Sequence, residues 1–400
     1  MVAGYTYVGR YPPLYYFLVG WPTLISTSLS IVYVMRVVSV LLASGFLSLA
    51  LAVAWRWGRS PLLVSAVAVA ATPMAVYLAG SVNPNGLEIA VAICAWTSAL
   101  VLALDRSADP PPLLIAATGL CVAVLPLIRG LSFLWDGLLL LVVAMLAGRH
   151  KVVALWRQRQ VRIWAVATVA AFAIALAWDV IVKALSELDT GNPVPAHTSH
   201  IGLAVLVLSQ TKDLALQYVG VFGALNVPSP FVTVLAWGAV AAFVVLLGAV
   251  FARRRQLAIL AVTVALAIVV PAVIDAQGAH AYGLIGQGRY YLPLVVGVVL
   301  VAAAIVPSDV LAGRQRRITV CVLSLTGFGQ VSAFVWTLHR YSVGTNRPLD
   351  PFLRVTGSWS PPLGVPALDI IFLVVMMIFA IWLTAIVPPS FSDRLDRPQR

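Results

Sequence analysis

Apolar residues in this 400-residue chain fall in long runs separated by short polar stretches. A helix needs on the order of 20 apolar residues to cross the hydrocarbon core of a bilayer. Eleven segments approach or meet that length: 31–54, 61–80, 87–104, 112–128, 131–147, 163–182, 232–251, 256–275, 290–306, 318–337 and 368–387. The pattern predicts an all-α, polytopic membrane helix bundle in a single domain (residues 1–400), with no soluble domain. Residues 13–28 are also apolar, but Pro13 and Pro22 interrupt them. That segment is only about four turns long, so it reads as a re-entrant or interfacial helix within an outer stretch 1–30.

The charges sort by side. Alternate connections carry Arg56 and Arg59, the cluster Arg149 to Arg162, Arg253 to Arg255, the group Arg314, Arg316 and Arg317, and the tail residues Arg394, Arg397 and Arg400. That side holds 17 of the 26 Lys/Arg and five of the 14 Asp/Glu, and the other side holds nine of each. The formal charge of +12 therefore lies wholly on one side. Lys/Arg bias orients spans, so the basic side is cytoplasmic. The C-terminal tail 388–400 is then inside, and eleven spans leave Met1 outside.

Composition agrees with this picture. The chain is 61% hydrophobic and 10% charged, with a mean hydropathy of +0.98, against about 25% charged for a soluble domain. The localisation expected is the cell (plasma) membrane, multi-pass. A pI near 10.1 raises nucleic acid as a partner, but short juxtamembrane clusters account for the basic residues, so none is expected. Cys94, Cys121 and Cys321 fall inside spans and read as small apolar residues. No basic n-region precedes an apolar run before Tyr11, so no signal peptide is read there.

The outer connections are uneven. Residues 183–231 and 338–367 are long, and 276–289 is rich in Gly. Within the first, Ile201 to Tyr218 is apolar at its start and then carries Gln210, Lys212, Asp213 and Gln217, a pattern suited to an interfacial helix. The second carries Arg340, Arg347, Asp350, Arg354 and Trp359. No repeat of 20–50 residues and no inverted repeat is visible, which counts against a standard secondary transporter.

Charges inside spans are costly and need a reason. Those here lie toward the outer face: Arg36, Glu88, Arg129, Asp136, Asp179, Lys183, Asp275 and Arg289. Together they are candidates to ring a cavity open to the outside. Each also has a plainer account. Asp179 and Lys183 are spaced to pair on one helix. Glu88 is placed to favour the positive end of its helix dipole. Asp275 fits an interfacial position, Arg36 and Arg129 can snorkel, and Asp136 can pair with Arg129 or Arg36. His197 and His200 have a His-x-x-His spacing in a Pro-rich loop, a weak metal signal; no metal site is assigned.

Three short stretches stand out. Arg10-Tyr11-Pro12-Pro13-Leu14-Tyr15-Tyr16 combines prolines that fix an extended entry with Tyr rings suited to the interface. Asn83-Pro84-Asn85-Gly86 is a turn. In Ile285-Gly286-Gln287-Gly288-Arg289-Tyr290-Tyr291-Leu292-Pro293, glycines allow the backbone to approach a ligand closely. Arg289 would offer a guanidinium to a phosphate or diphosphate.

In this order and on this side, the three stretches resemble the membrane family called domain of unknown function 2142, common in actinobacteria. The first also resembles the His-Pro-Pro-Leu-Tyr-Tyr stretch of C-type (GT-C) glycosyltransferases, with Tyr11 in place of the His. The third resembles the family's Gln-Gly-Arg-Tyr-Leu-Leu-Pro segment. The resemblance runs through nearly the whole chain. It implies a multispan envelope enzyme that takes a sugar from a polyprenyl-phosphate carrier on the outer leaflet and gives it to an envelope glycan or lipid. It also implies a preceding span and an outer loop that supplies the catalytic carboxylate and sometimes a metal ligand. Residues 1–10 contain no Asp or Glu, so the expectation is either a longer native protein or a truncated form.

On that resemblance, Arg289 holds the carrier phosphate with Arg129 or Arg36, Gln287 and Tyr290 accompany it, and Tyr15, Tyr16 and Asn83 line the sugar pocket. Glu88 and Asp136 are the remaining candidates for general base. No cofactor is expected, and the sequence gives no support for a divalent metal. The partners implied are a lipid-linked sugar, its acceptor and membrane lipids. The alternatives are a transporter or flippase of a lipid-linked or anionic precursor, a non-catalytic subunit of an envelope-synthesis complex, and a polysaccharide polymerase.

Overall fold

In hydrocarbon a backbone N–H or C=O finds no water, so an apolar run satisfies itself by becoming helical. The computed structural model describes residues 7–60, 62–107, 109–182, 194–195, 197–311, 313–344 and 359–386. Its helices are α1 (Leu14–Gly20), α2 (Ile31–Trp57), α3 (Leu62–Ala70), α4 (Pro73–Ala79), α5 (Pro84–Leu104), α6 (Pro112–Val124), α7 (Ser132–Arg157) and α8 (Arg159–Val182). They continue as α9 (His200–Ser209), α10 (Thr211–Gly220), α11 (Phe231–Phe251), α12 (Arg254–Tyr282), α13 (Gly288–Ile305), α14 (Gln315–Val343) and α15 (Val365–Ile386). A two-residue antiparallel pair, Val221–Phe222 with Val227–Pro228, closes the turn before α11.

Each of the eleven predicted runs is carried by helix. Among the described residues nine helices are long and apolar enough to cross a membrane by themselves. The pair α3 and α4, bent by 63°, counts as a tenth if it forms one span. The shorter α6, continued by a 3-10 turn at Leu125–Leu127, corresponds to the remaining run.

The sequence pattern reads 61–80 as one continuous span, and the structure breaks it at Thr72-Pro73. Proline has no N–H and its ring crowds the carbonyl four residues back, here that of Val69. Trp237 of α11 donates its indole N–H to that carbonyl at 3.0 Å, and Gln330 of α14 donates to the carbonyl of Ala71 at 2.8 Å. The Thr72 hydroxyl caps α4 by accepting from the N–H of Ala75. The break is thus satisfied by neighbouring helices, as membrane interiors require.

Burial ranks the helices. Along α5, 94% of the apolar window is buried inside the protein, and 78% along α13; for α8 and α15 the values are 11% and 6%. The first two form the centre, and the last two expose most of their apolar surface, as lipid-facing helices do. Trp96 of α5 donates to the carbonyl of Pro293 in α13 at 3.0 Å. Its ring lies where a side chain on Gly297 would stand, so a glycine at 297 lets the two central helices meet.

The two ends of the bundle are held by different contacts. At the basic end Arg59 pairs with Asp105 at 3.5 Å, Lys151 donates to the Ser107 carbonyl, and Gln158 donates to Asp109. At the other end Arg36 donates to the Gly80 carbonyl at 2.8 Å, and the hydroxyls of Tyr77 and Tyr341 share a 3.0 Å hydrogen bond.

Two expectations change. Helix α12 runs on to Tyr282, so the Gly-rich connection shrinks to a few residues. Hydropathy marks where lipid contact ends, and Ala276, Gln277 and Ala279 continue a helix past that point. The segment Ile201–Tyr218 is two helices, of which only α9 keeps a broad exposed apolar face. Helix α10 instead packs against α4 and α13. The short α1 has seven residues, with Tyr15 and Val19 buried while Phe17 faces out.

Candidate polar site at the outer end of the bundle

The three sequence stretches meet at the outer ends of α5, α7 and α13. In the second of the stretches, Asn83 caps α5: its side-chain oxygen accepts from the backbone N–H of Asn85 at 3.0 Å and from the Asn85 amide at 2.8 Å. That leaves the Asn85 carbonyl oxygen free to accept from the Arg129 guanidinium. Arg129 also pairs with Glu88 at 3.3 Å. Ser132, in the first turn of α7, donates to the other Glu88 oxygen at 2.7 Å and accepts from the Arg129 N–H at 3.1 Å. Asn83, Asn85, Glu88, Arg129 and Ser132 therefore form one closed network.

This arrangement corrects two sequence expectations. Glu88 is fully buried and bound to Arg129 and Ser132, while Asn83 does the capping. Arg129 does not snorkel: its side chain is only 9% exposed, because the pair with Glu88 and the aromatic contacts hold it inside. The guanidinium stacks over Tyr290 at 4.5 Å and over Tyr11 at 5.4 Å. Tyr16 faces the same group. Burial raises its phenol pKa, Tyr11 and Tyr15 raise it further, and the Arg129 charge opposes them.

Arg289 approaches the same Tyr290 ring at 5.4 Å. Among the described residues no hydrogen bond or ion pair engages its guanidinium, and its Nε is buried without a partner. Tyr290 thus carries two arginines, of which Arg129 is neutralised by Glu88 and Arg289 is not. Gln287, the residue before α13, likewise has a buried side-chain oxygen without a partner.

Asp275 is 4% exposed, not interfacial. It accepts from the Tyr291 hydroxyl at 2.8 Å and sits against Gly286, where any side chain would collide with the carboxylate. Gly288 meets Gln217 of α10 in the same way, and its N–H donates to the Gln217 side chain at 2.7 Å. The glycines do permit a close approach, but the protein's own Asp275 and Gln217 occupy it rather than a ligand. Together these contacts fix the loop that presents Arg289. Tyr218, beside Gln217 on α10, has its phenol pKa raised by burial and then by the Asp275 charge.

Asp136 lies one turn along α7 from Ser132. It is fully buried, and neither oxygen has a partner among the described residues. The expected pair with Arg129 or Arg36 is not made, since Arg129 is turned to Glu88 and Arg36 to Gly80. Asp179 is half-buried against Gly130, where a side chain at 130 would meet its carboxylate at 3.2 Å, and one of its oxygens has no partner among the described residues. Its expected partner Lys183 lies outside the described residues, as do Arg347, Asp350 and Arg354.

Of the other predicted residues, Tyr15 is buried and bonds Ser39 at 3.0 Å, holding α1 to α2. Arg36 is exposed and bonded to the Gly80 carbonyl. His197 is exposed, and the side chain of His200 lies outside the described residues. Among the described residues no group of three His, Cys, Asp or Glu is placed to hold a metal ion. Asn85, Ser132, Gln217 and Tyr291 were missed as site residues. Asn85 and Tyr291 lay inside noted motifs, and Gln217 was visible as a polar break in an apolar segment.

Fold and site together define a multi-pass α-helical membrane protein with a buried polar cluster at its outer end. The model of a family described as predicted membrane protein (DUF2142) matches residues 3–298. The chain belongs to that family, as its three stretches anticipated. No curated protein matches it, and no solved structure does.

Proposed function

We propose that the outer-end cluster is a glycosyl-transfer site that uses a sugar carried on a polyprenyl phosphate. The observation that carries the proposal is Arg289: a half-buried guanidinium with no counter-ion among the described residues, held on a braced loop at the outer end of the bundle. An uncompensated arginine in such a place is a partner for a phosphate. As the bond between the sugar carbon and the phosphate oxygen breaks, its electron pair stays with the phosphate, and Arg289 stabilises that charge. The acceptor hydroxyl oxygen bonds to the sugar carbon, and its proton passes to a carboxylate.

Among the carboxylates, Glu88 is occupied by Arg129 and Ser132, and Asp136 is sealed from solvent. Asp179 is half-buried against Gly130, in the turn that carries Arg129, and is the one we assign as general base. Tyr16 and Gln287 are suited to the sugar.

Two observations favour this reading over a flippase. Transporter sites lie near the midplane and use carbonyls freed by broken helices. The carbonyls of the broken α3–α4 span are taken by Trp237 and Gln330. Asp136 lies four residues into α7, about 6 Å from its outer end.

The test is transfer of labelled sugar from polyprenyl-phosphate donors in membranes containing the protein. Arg289→Ala should abolish transfer with membrane abundance unchanged, and Arg289→Lys should restore part of it. Full activity in Arg289→Ala would remove Arg289 from the mechanism. Passage of the intact lipid-linked sugar across vesicles without transfer would replace the enzyme with a flippase.

A further inference from the structure

The opposite end of the molecule holds a second feature that sugar transfer does not use. Helix α7 breaks at Gly148, whose φ of 77° is open to glycine and strained for other residues. Beyond the break, residues 149–157 run beneath the bundle. Lys151 and Gln158 bond to Ser107 and Asp109 of the connection between α5 and α6. This stretch has Arg149, His150, Lys151 and Arg157 as its polar residues and exposes Val152, Val153 and Trp156. Such a segment lies at the membrane surface with its apolar side toward lipid, so it marks the cytoplasmic interface.

At that level a cavity of about 440 Å³ opens between α7 and α12. Its upper walls are apolar, from Ala144, Ala258, Ile259 and Val262, and its lower rim carries Arg149 and Arg255. Arg255 donates to the Met145 carbonyl at the break in α7, and a side chain on Gly148 would press on its guanidinium. The break thus fixes one cation at the rim while Arg149 stays exposed beside it. A second apolar cavity of about 350 Å³, lined by Ile115, Leu140, Trp156 and Trp164 among others, adjoins it at Ala144.

We infer that this groove binds an anionic phospholipid of the inner leaflet. The phosphate head lies between Arg149 and Arg255, and the acyl chains lie along α7 and α12. The argument is charge complementarity at a fixed depth: two guanidinia at the interface below an apolar wall match a lipid whose charge sits just outside its chains. A zwitterionic lipid offers less net charge, and a soluble phosphate leaves the apolar wall uncovered.

The test uses the full-length protein, purified in detergent and loaded with phosphatidylglycerol or phosphatidylcholine, with retained lipid counted by native mass spectrometry. Wild type should keep phosphatidylglycerol in preference to phosphatidylcholine. The variant Arg149→Gln/Arg255→Gln should lose about tenfold in retention, near 1.4 kcal/mol. Arg316→Gln/Arg317→Gln removes equal charge from another exposed cytoplasmic cluster and should keep the lipid. Ala144→Phe fills the groove with both arginines intact and should release it. Equal retention of the two lipids, equal loss in both arginine variants, or retention by Ala144→Phe would each overturn the assignment. The result is independent of sugar transfer.

Discussion

The Glu88–Arg129 pair offers the sharpest test of how the outer cluster is held. Its two side chains are 0% and 9% exposed, 3.3 Å apart, in a protein interior flanked by lipid. Replacing Arg129 by Met removes the ion pair, the bond to Asn85 and the stacking on Tyr290 and Tyr11. Glu88 is left buried with only the Ser132 hydroxyl among its present bonds. Breaking a buried pair from one side costs about 3–5 kcal/mol, whereas replacing both partners by apolar groups is often near neutral. Arg129→Met should therefore destabilise by about 4 kcal/mol, and Glu88→Leu/Arg129→Met should recover most of that loss. The assay is unfolding in mixed micelles by a denaturing detergent, followed by tryptophan fluorescence. The reasoning fails if Arg129→Met costs under about 1 kcal/mol, or if the double variant loses as much as the single losses combined.

Two further outcomes are expected. Gly286→Ala should destabilise by about 1–3 kcal/mol, because the added methyl collides with the Asp275 carboxylate; pairing it with Asp275→Ala in the same unfolding assay should relieve much of the loss, and additive losses would show that the collision is not the cause. Cysteines introduced at Ser107 and Ala224, both in connections between helices, should react with an impermeant thiol reagent from opposite faces of the membrane, Ala224→Cys from outside. Labelling of both from one face would refute the assigned orientation.

Much of the fold was legible because a bilayer imposes a length and a polarity rule that a sequence cannot hide. The eleven apolar runs and the one-sided arginines read through to helices and ends. The break at Thr72-Pro73 was harder to see, since proline is tolerated within membrane helices: Pro271 and Pro293 lie inside α12 and α13. A span bends at a proline when neighbours such as Trp237 and Gln330 take the freed carbonyls, and those neighbours lie more than 160 residues away in the chain.

The site was legible as a set of residues but not as a set of pairings. Composition and motif order pointed to Glu88, Arg129, Asp136, Gln287, Arg289 and Tyr290 at the outer end. They did not say which arginine is neutralised. That depends on the turn before α7, which aims Arg129 at Glu88, and on Asp275 and Gln217, which brace the loop of Arg289. Sequence by itself determined the class and the pattern of long apolar helices, because these follow from local hydropathy. Tertiary structure alone decided which charge is left without a partner among the described residues, because pairing depends on distances of a few ångströms between helices that sequence spacing does not record.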